Sequence, residues 1–353
     1  MVPVTLQDVA RRAGVSISTV SRALHDHARI PPSNRREIQR IAAEMGYRPN
    51  PMAVGLVSQR EQFRDRSIVG EIAWIHQWTQ PTKLRGYREF DAYWRGAFEA
   101  AERSGYRLEE FVIGEGMSIP RLANILDARN IQGILLPPHG GAAGRIPDWT
   151  NFPWERFSVI RFGYSLPNPL VDVVAPNQIA NGISAFSYIH RNGYRRVGFV
   201  IVSPTAARFQ AGYQLAQTLN GVKTSVPTLA LTAARDEAKE QAMLRNWVRK
   251  HRPDAIVTDH QPMRRMLEEI GLRVPEDIAL VALSVLDGNA DAGICQNSHE
   301  IGKIAVASLI AAMHTNRRGI PDRYHETLVP GYWQDGGTLP VQQTQGFCAV
   351  SSC

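Results

Sequence analysis

From about Ser67 to Leu339 one rhythm repeats along the chain: a short apolar run, an amphipathic segment, then another apolar run. The runs at Ile68–Ile75, Ile131–Leu136, Phe157–Phe162, Val197–Val202, Ala255–Thr258 and Ile278–Leu283 read as strands. Between and after them, helical spacing marks Tyr93–Ser104, Ile119–Arg129, Ile179–Asn192, Arg208–Leu219, Arg235–Lys250, Met263–Ile270 and Ile301–Met313. Alternation of this kind implies parallel sheets covered by helices on both faces. With about 275 residues to arrange, two α/β lobes are more natural than one. Ligands on such sheets bind at the carboxyl ends of the strands, which here places a ligand site in the cleft between the lobes.

The first 60 residues are different. They hold nine arginines and no lysine against Asp8, Asp26, Glu37 and Glu44, so +5 of the total net charge of +7 sits there. A small basic head on a nearly neutral body suits a polyanion, with nucleic acid or a membrane surface as candidates. Local signals sharpen the choice. Thr5 can cap a helix, with Asp8 at N3 completing a capping box. Leu6, Val9, Ala10 and Ala13 then form one narrow apolar face, and Gly14 supplies the left-handed stop. Ser16 caps a second helix in which Val20, Ala23 and Leu24 face inward while Ile17, Ser18, Ser21 and Arg22 face outward.

Two short helices joined by a tight glycine turn make a helix-turn-helix. The exposed face of the second is short, polar and basic, as insertion into a DNA groove requires. A third helix enters through Pro31-Pro32-Ser33, packs Ile38, Ile41, Ala42 and Met45 inward, and ends at Gly46. Asn50 as N-cap and Pro51 at N1 mark a fourth, very short helix. Gly55 and its length make that helix marginal in water, so it should form only when something else holds it.

The stretches "VTLQDVARRAGVSISTVSRAL" and "GYRPNPMAVGL" closely resemble the DNA-binding headpiece of the lactose-repressor (LacI) family, in register and without a gap. The resemblance implies that the second helix lies in the major groove and that the hinge helices of two subunits pair in the minor groove. By position it assigns base-edge contacts to Ile17, Ser18 and Arg22, and the minor-groove wedge to Leu56. Thr5, Ser16, Thr19, Ser21, Asn34, Tyr47, Asn50 and Ala53 become backbone and hinge contacts. Arg29 and Pro31 depart from the residue types expected at their positions.

The body resembles the same family's effector domain, which is similar to a type I periplasmic sugar-binding protein. The matching stretches are "RGAFEAAERSGYRL", "IQGILLPP", "NGYRRVGFV", "AGYQLA" and "GLRVPEDIALVAL". Ligand-facing positions diverge: Phe209 stands where the family usually has arginine, with Arg208 one step earlier, and Asn177 stands where aspartate is common. Around Asp259-His260-Gln261 the customary Asn-Asp is replaced, and Ala292–Asn297 lacks the usual Leu-Thr-Thr run. The expected effector is a sugar or sugar-like metabolite, with His76, Trp78, Tyr93, Arg208 and Asp259 as candidate contacts.

The expected organisation is a helix-turn-helix domain at 1–48, a hinge helix and linker at 49–60, a two-lobed effector-binding and dimerisation domain at 61–339, and a flexible polar tail at 340–353. The expected partners are a double-stranded DNA operator, a small-molecule effector and a second copy of the chain, with a tetramer also open. Cys295, Cys348 and Cys353 fit neither a disulfide framework nor a zinc motif, and no cofactor is expected. With no signal-like apolar stretch at the N-terminus and no run near 18 apolar residues, no membrane partner is expected, and the setting is read as the cytoplasm, on the nucleoid.

Catalysis finds little support. Gly140–Arg145 lacks the Gly-Lys-Ser/Thr ending of a phosphate-binding loop and reads as a surface turn. There is no Gly-x-Ser-x-Gly elbow and no His-x-x-x-His pair, and His139, His260 and His299 are isolated. The chain is therefore expected to be no enzyme. A ligand-independent architectural DNA-binding protein with a degenerate sensor is the competing reading, and an enzyme carrying a DNA-binding head is a more distant one.

Overall fold

The computed structural model describes residues 4–24, 30–47, 68–78, 86–114, 116–139, 148–202, 206–222, 226–231 and 237–342. The expected hinge with Asn50, Ala53 and Leu56, the stretch Gly140–Arg145, and the tail from residue 343 lie outside the described residues.

The head is three helices: α1 (Leu6–Ala13), α2 (Ile17–Leu24) and α3 (Pro32–Glu44). Thr5 and Asp8 form the capping box: the Asp8 amide donates to Thr5 Oγ1 at 3.3 Å, and the Thr5 amide donates to Asp8 Oδ2 at 3.0 Å. At the other end Gly14 has φ 67°, a left-handed conformation that costs a residue without Cβ nothing. Both its amide and that of Val15 donate to Ala10 O, which turns the chain straight into α2. There the Thr19 amide donates to Ser16 Oγ at 3.2 Å. Val9, Ala10, Val20, Ala23, Ile30, Ile38 and Ala42 are buried together, with Leu6, Leu24, Ile41, Met45 and Tyr47 packed around them. The Gln39 amide of α3 donates to Ala23 O at 3.0 Å, pinning the end of α2.

The body contains β1 (Gly70–His76), α4 (Arg88–Arg103), β2 (Tyr106–Val112), α5 (Ile119–Ala128), β3 (Gly133–Leu136), β4 (Ser158–Phe162), β5 (Asp172–Pro176) and α6 (Gln178–Arg191). Next come β6 (Val197–Ile201), α7 (Ala206–Leu219), β7 (Leu229–Ala230), α8 (Glu237–His251), β8 (Ala255–Thr258), α9 (Met263–Glu269), β9 (Ala279–Ala282) and β10 (Gly293–Cys295). It ends with α10 (Ser298–His314), β11 (Glu326–Val329) and β12 (Tyr332–Gln334).

Two six-stranded sheets result, ordered β11-β5-β4-β3-β1-β2 and β12-β10-β9-β8-β6-β7. Every ladder is parallel except β10–β12. The chain therefore passes between lobes three times: from β5 to α6, from β10 to α10, and from β11 to β12. Each sheet buries apolar side chains on both faces, which is why its central strands carry nearly continuous rather than alternating apolar residues.

Each lobe is closed by a helix pair seated on glycines. A Cβ on Gly96 of α4 would lie 1.8 Å from His299 O, and one on Gly302 of α10 would lie 2.2 Å from Tyr93 O. In the C-terminal lobe Gly182 and Gly212 play the same part for α6 and α7, at 2.0 Å from Phe209 O and 2.1 Å from Ile179 O. Backbone meets backbone at both crossings, so no side chain of any size fits there.

Candidate nucleic-acid interface and ligand cleft

In the head, Ile17, Ser18 and Arg22 of α2 are exposed, and Ile17 leaves 47% of its surface in solvent although it is a large apolar residue. Helical spacing of 100° per residue places Ile17, Ser18, Ser21 and Arg22 within one broad face. Opposite them, Val20 and Ala23 are fully buried. The face is thus presented by a rigid support. Ser16 Oγ is within 2.9 Å of Ser18 Oγ and 2.8 Å of Thr19 Oγ1, a hydroxyl cluster at the entry to α2. A helix N-terminus bearing free donors and hydroxyls suits a phosphate. Asn34 is exposed near the start of α3, whereas the Tyr47 ring packs on the core and burial pushes its phenol up.

In the body, the carboxyl ends of β1, β3 and β4 in one lobe and of β6, β8 and β9 in the other belong to the cleft. On the N-terminal side, Ile75, His76, Gln77, Trp78, Leu136, Pro137, Pro138, His139, Trp149 and Leu166 line a narrow, partly open recess of about 250 Å³. Two buried polar atoms within that lining have no protein partner: Gln77 Oε1, an acceptor, and Trp149 Nε1, a donor.

The sequence-predicted effector residues are not gathered at one point. His76 is 5% exposed; its Nδ1 accepts the Trp78 amide at 3.0 Å, and its Nε2 lies 3.1 Å from Glu110 Oε1. Its ring therefore positions the loop that carries Trp78. Trp78 lines the recess, with Nε1 3.4 Å from Pro138 O, and meets the Tyr87 ring edge-on at 5.7 Å. Tyr93 is 5% exposed, stacked between Phe90 and Phe162, and is not among the residues that line the recess. Asp259 accepts the Val202 amide at 2.8 Å and so ties the ends of β8 and β6 together. Arg208 lies on the far lobe, its guanidinium 3.4 Å from the centroid of the Tyr164 ring.

Other residues at the cleft escape sequence reasoning. Asp287 of the C-terminal lobe accepts the Arg88 amide at 2.7 Å and the Glu89 amide at 3.4 Å, capping α4 from across the cleft. The buried Glu89 carboxyl accepts the hydroxyls of Ser284 and Ser298, and burial holds it above the usual carboxylate range, with Asp287 pushing the same way. These partners lie about 200 residues apart in sequence, so no local pattern announces them. Trp149, following a glycine-rich stretch, had the same disadvantage. His260 is held below the ordinary imidazole value by burial. Among the described residues no group of three or more His, Cys, Asp or Glu is arranged to hold a metal ion, and no helix is long and apolar enough to cross a membrane.

A trihelical head presenting a short polar face from its second helix, followed by two parallel-sheet lobes linked by three crossings, defines a class: DNA-binding regulators with a periplasmic-binding-protein-like body. Residues 5–50 match the family model described as bacterial regulatory proteins, lacI family, and residues 186–332 match the periplasmic binding protein-like domain. The chain is 26% identical over 330 residues to the HTH-type transcriptional regulator KdgR of Bacillus subtilis, spanning 87% of this chain and 90% of that one. It is 24% identical over 340 residues to the HTH-type transcriptional repressor CytR of Escherichia coli, spanning 90% and 92%. Among solved structures, the transcriptional regulator CelR–cellobiose complex superposes with a TM-score of 0.58 at 19% identity, covering 95% of this chain and 99% of that one. The lac repressor dimer bound to operator and the anti-inducer ONPF gives 0.54 at 18%, covering 96% and 99%. The chain carries a LacI-family helix-turn-helix domain joined to a periplasmic-binding-protein-like domain, the make-up of a DNA-binding transcription regulator. The relatives it matches are transcription regulators rather than enzymes.

Proposed function

We propose that the protein is a cytoplasmic repressor that binds a pseudo-palindromic operator as a homodimer, with its affinity set by a small-molecule effector held between the lobes. The observation that carries this reading is the exposed α2 face on a fully buried support. In this reading Ile17, Ser18 and Arg22 read base edges, with Arg22 suited to a bidentate contact to guanine. Thr5, Ser16, Thr19, Ser21, Asn34 and Tyr47 engage the phosphate backbone, and Asn50 and Ala53 belong to the hinge whose Leu56 wedges the central minor-groove step. The head is assigned to residues 1–48, the hinge and linker to 49–60, the effector and dimerisation domain to 61–339, and a polar tail to 340–353.

The effector is a sugar or sugar-like metabolite whose ring packs on Trp78 and Trp149, with Gln77 Oε1 and Trp149 Nε1 as the waiting acceptor and donor. His76 acts by holding the Trp78 loop, Asp259 by shaping the opposite wall. The effector acts by preferring one lobe arrangement over another, which changes the spacing of the two hinges; only a difference in affinity for the two arrangements can do this. Similarity to a repressor, to an operator-bound dimer and to a cellobiose complex supports these assignments by analogy.

The test is binding-site selection with the full-length protein, followed by anisotropy titrations on the selected duplex and its single-base variants. A two-fold symmetric site is expected, and Arg22→Ala should relax preference at one base pair per half-site by about 1–3 kcal/mol. Recovery of no consensus, with affinity governed by salt alone, would refute the reading. A uniform loss across sequences in Arg22→Ala would make that residue a phosphate contact.

A further inference from the structure

Arg208 and Tyr164 come from different lobes. Arg208 is an exposed residue in the first turn of α7, and Tyr164 lies in the loop that follows β4. Their approach, 3.4 Å from guanidinium carbon to ring centroid, is a direct contact across the cleft. Tyr164 is fastened in turn: its hydroxyl donates to Glu326 Oε2 at 2.9 Å. Burial and that carboxylate push the phenol up to about 12, so it remains a donor throughout the neutral range.

Glu326 is the first residue of β11, the strand that leads within three residues to the third crossing between lobes. Sheet register strengthens the link. Glu326 pairs with Val173 on β5, which pairs with Arg161 on β4. The buried Arg161 guanidinium donates to Leu166 O at 2.5 Å, inside the same loop that carries Tyr164, and stands 5.9 Å from the Tyr324 ring. The ring that receives Arg208 is thus held from two sides by groups of the crossing strand and its neighbours.

We propose that Arg208 and Tyr164 form a closing latch across the cleft, and that Glu326 transmits its engagement to the third crossing. Arg208 then serves lobe closure rather than effector recognition. Its exposure means that the stacking, not burial, sets its position, and an exposed cation–π contact shifts the ratio of closed to open lobes by about two- to fivefold. The latch builds on the proposed effector-controlled body. Its test needs neither operator nor effector, so the failure of one is distinguishable from the failure of the other.

The experiment uses the full-length chain with Cys295, Cys348 and Cys353 changed to serine and spin labels at Glu102→Cys and Arg245→Cys, one exposed helical site per lobe. Pulsed dipolar spectroscopy reports the distance between lobes. Arg208→Gln and Tyr164→Leu should each move population toward longer distances by the same two- to fivefold ratio, and the double variant should go no further. An unchanged distribution in Arg208→Gln, or single effects that sum in the double variant, would overturn the latch. Hydrogen exchange tests the transmission: Tyr164→Phe and Glu326→Gln keep the stacked ring but should speed exchange at residues 329–334. Equal protection there in wild type and both variants would remove Glu326 from the proposal.

Discussion

Replacing Gly302 by alanine probes the contact on which the N-terminal lobe closes. The added Cβ would meet Tyr93 O at 2.2 Å, Ala97 N at 2.7 Å and Gly96 C at 3.1 Å, all of them backbone atoms of α4. No rotamer change can relieve such a clash. Ordinary contact requires α4 and α10 to separate by about 1 Å, loosening Tyr93, Ala97, Ile301 and Ala305 in the core between them. Overpacking of this kind costs about 1–3 kcal/mol or more, and the gain in helix propensity on replacing glycine offsets about 1 kcal/mol of it. A net loss of about 2 kcal/mol corresponds to a fall of about 4–8 °C in the melting temperature of a unit this size. Urea unfolding followed by tryptophan fluorescence reads it, since Trp74 and Trp94 sit beside the crossing helices. Gly212→Ala should behave alike in the other lobe, where the Cβ meets Ile179 O at 2.1 Å, while Gly116→Ala, open to space, should be neutral. Wild-type stability in Gly302→Ala would refute the close-packed crossing.

Leu56→Ala should weaken operator binding while leaving the melting of the body unchanged; unaltered affinity in anisotropy titration would remove the wedge. Thr5→Ala deletes one arm of the capping box and should cost the head about 1 kcal/mol, read by thermal melting at 222 nm. Asp8 is held below its usual value by hydrogen bonds from Thr5. The box therefore contributes above the unfolded-state pKa and is lost as pH falls through the lowered folded value, and Asp8→Asn should flatten that acid limb of the melting curve. Glu89 has the opposite sign: burial raises its folded pKa, so folded stability is complete below about 4.5 and declines as pH rises through the folded value. Glu89→Gln should abolish that decline in calorimetric scans from pH 4 to 8, and persistence of the slope would exonerate Glu89.

The head was legible in the sequence because everything that shapes it is local. A cap and its partner three residues on, a glycine at a left-handed position, and one apolar face per short helix specify α1, the turn and α2 within 20 residues. The strands β1, β3, β4, β6, β8 and β9 were legible too, since burial on both faces leaves a nearly continuous apolar run, interrupted by Glu71 in β1 and Arg161 in β4. The strands that were missed are of another kind. In β2 the apolar run is broken by Glu109 and Glu110, in β11 by Glu326 and Thr327, and β7, β10 and β12 are only two or three residues long. Apart from β10, which lies between β9 and β12, these are edge strands with one neighbour and partial exposure, so their composition approaches that of a loop. β5 is buried, but Asp172 and Pro176 bracket its short core.

What the sequence by itself determined is therefore a LacI-family helix-turn-helix head and a parallel α/β body like a periplasmic binding protein. Tertiary structure alone decided which strands neighbour one another, where the chain crosses between lobes, and which partners the cleft residues meet. His76 lines the recess and also supports the Trp78 loop, with Glu110, 34 residues away, brought alongside it. Tyr93 is stacked on Phe162 in the core, and Arg208 reaches a tyrosine of the opposite lobe. Helix caps and turns draw on forces between neighbours in the chain, which a local pattern records. A pocket is made where distant segments meet, and the partner that gives each side chain its role is set by the fold.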